Sequence, residues 1–290
     1  MIPWPNDLIE DIARRRCVLF LGAGISAGCI NNSGRCPQTW KDFLLNIVDE
    51  IDGVGAKTHV RRLINRQDYL TACEVVKQRV GDQGFNSKMM DEFLTPQYNH
   101  SAIHEDVFKI DSRIVATPNF DKIYETYANG QAAGSIRVKY YYDSDVAEAV
   151  RSSHRIILKV HGTIDAPDKV IFTRKEYARA RQNYRNFYLV LEALILTHTF
   201  IFLGCGVNDP DIKLLLEDYY FRYPTGRSHI LVLPKKEEHK DIIKIIEESM
   251  NVKVLQYSKA HNHRELFDSI KNLSDQVEQK REALKQNGNW

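Results

Sequence analysis

Short, largely apolar runs bounded by turn-forming residues constrain this chain more than any other feature: residues 18–21, 114–116, 136–141, 156–160, 200–203, 230–233 and 252–255. Runs of this length and character read as six or seven strands buried on both faces. Between them lie segments with apolar residues every three to four positions, such as Trp40, Phe43, Leu44, Ile47, Val48 and Ile51, or Tyr188, Leu191, Leu194 and Ile195. That spacing predicts amphipathic helices. Alternation of the two implies an α/β fold, a doubly wound, mostly parallel, Rossmann-like sheet within a single domain over 1–290. Residues 40–105 lack strand signals and are read as a helical insert. Leu266, Ile270, Leu273, Val277 and Leu284 repeat at heptad-like steps and predict a C-terminal amphipathic helix over 263–285. Its apolar stripe has two readings: docking on the chain's own sheet, or contact with another subunit.

Three polar marks come directly after strand-like runs: Gly22-Ala23-Gly24-Ile25-Ser26, Thr117-Pro118-Asn119-Phe120-Asp121 and His161-Gly162-Thr163. Parallel strands deliver the residues beyond their carboxyl ends to one crevice, so three distant segments converge. A strand ending in Gly-x-Gly lets backbone approach a pyrophosphate closely, and free turn amides suit anionic oxygens. The sixth position of this glycine pattern is Ala27, and Asp42, at the distance of the usual ribose-binding acid, sits in a helical pattern. Each mark also has a plainer reading: a glycine turn closing a strand–helix joint, an Asn/Asp helix cap, and a structural histidine. Residues 174–197 interleave Arg174, Lys175, Arg179, Arg181 and Arg185 with Tyr177, Tyr184 and Tyr188, which reads first as a solvated helix face and second as a polyanion contact.

Composition narrows the class. Forty Lys+Arg against 38 Asp+Glu, a formal charge of +2, give no general electrostatic reason for a nucleic-acid or membrane partner. Five scattered cysteines with no C-x-x-C pair indicate neither a disulfide framework nor a thiolate zinc site, and Cys29 and Cys36 are read as ordinary loop thiols. No apolar run approaches the roughly 20 residues of a membrane span, and the start lacks a signal-peptide pattern. A cytoplasmic protein is expected.

In order and wording these marks resemble the sirtuin NAD-binding domain, which has Gly-Ala-Gly-x-Ser, Thr-x-Asn-x-Asp, a His-Gly pair and a late strand ending in glycines, here Gly204-Cys205-Gly206. The resemblance runs from about residue 18 to 233. It implies that Gly22, Ala23, Gly24 and Ser26 cradle the phosphates of NAD. Asn119 and Asp121 would face the nicotinamide ribose and amide, Thr117 would be a further cofactor-binding residue, and Gly204, Gly206 and Asp209 would border the adenosine side. Asn119 and His161 would be the catalytic pair. An imidazole of ordinary pKa, about 6.5, is a neutral base near neutrality, and a carboxamide offers a donor and an acceptor without charge.

The departures carry as much information. Protein deacylases of the family usually hold zinc on two C-x-x-C pairs after the His-Gly element, whereas no cysteine lies here between His161 and Cys205. Pro118 replaces the usual Gln. Pro37-x-Thr39-Trp40 and Gly204-Cys205-Gly206-Val207-Asn208-Asp209 look more like the sirtuin-like NAD hydrolases of bacterial antiphage defence. The resemblance then implies hydrolysis of NAD, as substrate, to nicotinamide and ADP-ribose with no metal. It further implies a homo-oligomer and, for the stand-alone type, a HerA-type ATPase partner. Competing readings are a zinc-free deacylase or ADP-ribosyltransferase and a non-catalytic NAD- or ADP-ribose-binding assembly subunit.

Overall fold

Burial on both faces is the reason the first strand carries no polar side chain. In the computed structural model, which describes residues 1–206, 213, 216, 217, 220 and 226–288, β1 (Cys17–Leu21) sends Cys17, Leu19 and Leu21 into one apolar layer and Val18 and Phe20 into the other. The remaining strands are β2 (Ile114–Thr117), β3 (Arg137–Tyr140), β4 (Ile156–Lys159), β5 (Thr199–Leu203), β6 (His229–Pro234) and β7 (Val252–Tyr257). They form one sheet in the order β3-β4-β2-β1-β5-β6-β7, with every pairing parallel. All seven apolar runs of the sequence become strands. The edge position of β3 explains its more polar Arg-Val-Lys-Tyr, since one flank needs no strand partner.

Helices cover both faces. α1 (Asn6–Ala13), α5 (Ala102–Lys109), α6 (Ile123–Gln131), α7 (Val146–Arg151), α8 (Arg174–Asn183), α9 (Arg185–Thr197) and α10 (Lys240–Met250) lie among the connections. The insert contains α2 (Trp40–Val48), α3 (Val54–Asn65) and α4 (Tyr69–Phe93). Thr39 caps α2 by accepting from Asp42 N at 3.2 Å, so Asp42 belongs to a helix start and not to a strand end. α4 bends at Gly81, whose φ of 74° is open to glycine and strained for other residues. The insert has its own apolar layer, in which the Phe43 ring packs on those of Trp40 and Phe85, and Trp40, Phe85 and Phe93 meet Phe120 or Phe172 ring against ring.

The last helix, α11 (Ala260–Gln286), becomes regular only after His261–His263, which take left-handed backbone angles. Leu266, Ile270, Leu273, Val277 and Leu284 are all buried, in the same layer as Ile9, Ile12, Ile103 and Val107 of α1 and α5. The stripe therefore docks on the chain's own fold. The subunit-contact reading of these residues is corrected: a stripe already covered by α1 and α5 offers no apolar area to a second copy. Below it, the Arg281 side chain, 5 % exposed, donates to the carbonyls of Ile110 (2.9 Å) and Asp111 (3.2 Å), and at 3.4 Å to those of Ile12 and Ala13. One guanidinium thus satisfies carbonyl groups left over at the carboxyl ends of two helices, where the helix dipole also favours a cation. Among the described residues, no helix is long and apolar enough to cross a membrane.

Candidate functional site

The connections leaving β1 and β5 run to opposite sides of the sheet, toward β2 and β6, which makes their carboxyl ends the switch point where such sheets open a crevice. The glycines occur there because two backbones touch. Gly22 N donates to Leu203 O (2.8 Å) and Gly24 N to Gly204 O (2.9 Å). A Cβ on Gly22 would lie 2.5 Å from Gly204 O, and one on Gly24 would lie 2.9 Å from Gly204 Cα. Gly204 itself has φ +66°, and its Cβ would meet Ile25 N at 2.7 Å. The turn 23–25 is a short 3-10 helix. Its amides are mostly spent inside the protein: from Gly22 to Ala27, only Ala23, which is exposed, has an N–H with no partner among the described residues. The sequence suggested a row of free phosphate-binding amides; the structure leaves one.

The second motif is tied to the first. Thr117 Oγ1 donates to Leu21 O (2.6 Å) and accepts from Asn119 N (3.0 Å), while Asn119 Nδ2 donates to Gly22 O (3.0 Å). Because a carbonyl only accepts, this bond fixes which way the amide points and leaves Asn119 Oδ1 as the free acceptor. Asp121 Oδ1 accepts from Ile123 N (3.0 Å) and turns the chain into α6. Leu21, Ile25, Ser26, Thr117, Asn119 and Asp121 line a narrow cleft that continues down to Tyr124, Glu125, Ile157 and Lys159.

The third motif stands beside the second. Thr117 and Lys159 are register partners at the ends of β2 and β4, so Asn119 and His161 each lie two residues beyond adjacent strand ends. His161 is buried, its Nε2 3.2 Å from the Tyr177 hydroxyl, and it is not among the residues lining the cleft that Asn119 faces. Gly162 has φ +87°, and a Cβ there would press on Lys169 O at 2.8 Å, so the residue after the histidine has to be glycine. Gly206 is exposed, with nothing within 4 Å of a Cβ there among the described residues, and Asp209 lies outside them.

Lys159 and Glu125 carry no role in the sequence reading, and Tyr177 carries a different one. Lys159 ends an otherwise apolar strand yet is only 2 % exposed; its Nζ donates to Asp121 O and pairs with the Glu125 carboxylate at 2.9 Å. Burial pushes the Glu125 carboxyl up while Lys159 pulls it down. The signal was a lysine closing a buried strand two residues before His161. Tyr177 was read with the exposed basic face of its helix, but it points inward to His161 while Arg174, Lys175 and Arg179 face out. Nearby, burial raises the Cys29 thiol to about 11 and lowers the His104 imidazole to about 4, so the two stand neutral with Sγ 3.9 Å from Nδ1. Cys36 is exposed. No cluster of three or more His, Cys, Asp or Glu suited to a metal ion occurs among the described residues.

An all-parallel sheet with a glycine turn at its switch point and Asn and His beyond adjacent strand ends defines a Rossmann-like domain with a ligand crevice at the strand ends. Residues 113–255 match the model of the SIR2-like domain family. It is 27 % identical over 218 residues to the Defense-associated sirtuin 2 of Bacillus subtilis, covering 73 % of this chain and 20 % of that protein. It is also similar to two proteins named NAD(+) hydrolase ThsA. That of Enterococcus faecium is 27 % identical over 211 residues (72 % of this chain, 41 % of the relative), and that of Acinetobacter baumannii (strain 532279) 22 % over 237 residues (79 % and 45 %). The chain spans less than half the length of the curated relatives it matches.

Proposed function

We propose that this protein hydrolyses NAD to nicotinamide and ADP-ribose and serves as the NAD-depleting effector of an antiphage defence system, working in the cytoplasm under control of oligomerisation or a partner such as a HerA-type ATPase. The observation that carries the reading is the Asn119 Nδ2–Gly22 O bond, which locks the second motif onto the glycine turn at a cleft that Asn119 lines. Similarity to proteins named NAD(+) hydrolase supports it from outside the structure.

In this reading the glycine turn and Ser26 hold the pyrophosphate, and Asn119 Oδ1 accepts from a ribose hydroxyl or the attacking water. The bond from ribose C1′ to the nicotinamide nitrogen breaks, and its electron pair neutralises the pyridinium. The sugar gains oxocarbenium character, and a water oxygen closes on C1′ while its proton passes toward the His161 imidazole. The leaving group departs neutral, so no acid has to protonate it. With the stripe of α11 buried in the chain's own fold, any assembly contact lies on another surface.

The test is NAD consumption by the purified chain, with its partner where turnover requires one, monitored as nicotinamide and ADP-ribose without an acyl-lysine or protein acceptor. Asn119→Ala and His161→Ala are expected to lose roughly 10²- to 10⁴-fold in kcat, the range of a positioned acid–base group. Unchanged NAD loss in either variant overturns the assignment of roles. Turnover that appears only with an acceptor identifies a deacylase or transferase, and binding without turnover an assembly subunit.

A further inference from the structure

The loop that carries Asn119 is held by its carbonyl groups, and three tethers to them come from one segment. Val160 N donates to Thr117 O (2.9 Å), Ile164 N donates to Phe120 O (2.8 Å), and Lys159 Nζ donates to Asp121 O. That segment, 159–164, also contains His161. Two of the three tethers are backbone amides that any residue but proline would supply. The third is a side chain, and it is a buried ammonium.

A buried lysine–carboxylate pair is an expensive way to fill space, because apolar residues of similar volume serve stability as well or better. Here the pair is placed where it has something to hold. Nζ reaches past the end of β4 to the carbonyl of Asp121 and to Glu125 in the first turn of α6, so it joins strand, loop and helix at one point. Both side chains line the same cleft as Asn119. Their charges cancel, so the ammonium holds the loop without adding net positive charge beside a cationic ring. On the loop's far side, Phe120 is packed among Trp40, Phe93 and Phe172 of the insert and its neighbour segment.

We propose that Lys159, with Glu125 as its counter-ion, is a positioning residue that fixes the carboxamide of Asn119 relative to the imidazole of His161. The inference deepens the NAD-hydrolase reading and rests on it for its kinetic consequence, while the tether has a structural readout of its own. Neither residue touches substrate in this assignment. Both act through the backbone of residues 117–121.

The experiment compares the wild-type chain with E125L/K159M, which replaces the ion pair by apolar residues and removes the tether to Asp121. Hydrogen exchange by mass spectrometry is read on peptides spanning 117–125, alongside steady-state NAD kinetics. Amides of 117–125 are expected to exchange at least about tenfold faster while the β1 and β5 peptides keep wild-type protection. kcat is expected to fall about 10²-fold, the scale of a misplacement near 1 Å, with KM changed by less than about threefold. Unchanged exchange over 117–125, a kcat within about twofold of wild type, or a loss confined to KM overturns the proposal. If E125L/K159M does not fold, E125Q/K159Q, whose shorter amide cannot span to the Asp121 carbonyl, is put through the same comparison. A wild-type chain that does not turn over NAD even with its partner present refutes the hydrolase reading instead, and the exchange comparison still decides whether the tether orders the loop.

Discussion

Replacing Gly204 with alanine isolates the contact on which the crevice is built, and Gly206→Ala, two residues on, is its internal control. At 204 two penalties apply. The backbone sits at φ +66°, a region that costs an L-residue about 1–2 kcal/mol. The new Cβ would also stand 2.7 Å from Ile25 N and 3.0 Å from Gly24 C. Both neighbours are backbone, so the turn itself must move, and overpacking of this kind costs about 1–3 kcal/mol. Together the expected loss is about 2–5 kcal/mol, which in a chain of this size lowers the melting midpoint by roughly 5–15 °C. At 206 no atom of the described residues lies within 4 Å of the new Cβ, and the expected change stays within about 0.5 kcal/mol. Scanning calorimetry on both variants at one concentration reads the difference. A Gly204→Ala protein melting within about 2 °C of Gly206→Ala refutes the claim that close approach of β1 and β5 dictates glycine here.

Arg281→Met removes the guanidinium that bonds the carbonyls of Ile110 and Asp111. It is expected to cost about 3 kcal/mol, read as a lower urea midpoint at unchanged m-value, because it leaves those buried carbonyl acceptors without their charged donor. Two buried imidazoles contribute to the stability profile in acid. Burial lowers both His104 and His229 to about 4 in the fold, from 6.5. Between those values the unfolded chain binds protons that the folded chain does not. Stability is therefore fully present above pH 6.5 and falls as pH drops toward 4. Urea midpoints taken between pH 8 and 4.5 check the sign, and a profile that is flat or falls toward alkaline pH contradicts it.

Strand positions were legible because a strand buried on both faces has no polar option: Cys17-Val18-Leu19-Phe20-Leu21 reads the same in sequence and in structure. The C-terminal helix was legible from its heptad-like steps, but not which surface its stripe covers, since periodicity reports that a face is buried and not against what. Arg281, a polar residue in line with that stripe, marked the answer: it reaches carbonyls of α1 and α5. At the site, glycines and strand-end residues announced themselves through local chemistry. Lys159 and Tyr177 did not, because their meaning depends on partners 38 and 16 residues away, Asp121 and His161. The glycine turn shows the same limit from the other side. A Gly-x-Gly suggested open amides, whereas proximity to Gly204 consumes most of them.

The sheet order has a consequence for how the chain reaches its fold. The central strand β1 is made early and finds its flanks late: the Thr117–Leu21 bond spans 96 residues and the Cys205–Phe20 bond 185. Loop-closure entropy on that scale is met before any contact rewards it, so folding is expected to be slow by topology alone. Until both flanks arrive, Val-Leu-Phe-Leu stands as an apolar strand with two open edges, the kind of segment that pairs with its like in other molecules. Recovery of active protein after dilution from denaturant should accordingly fall as chain concentration rises, and the waiting strand is where a chaperone would hold it.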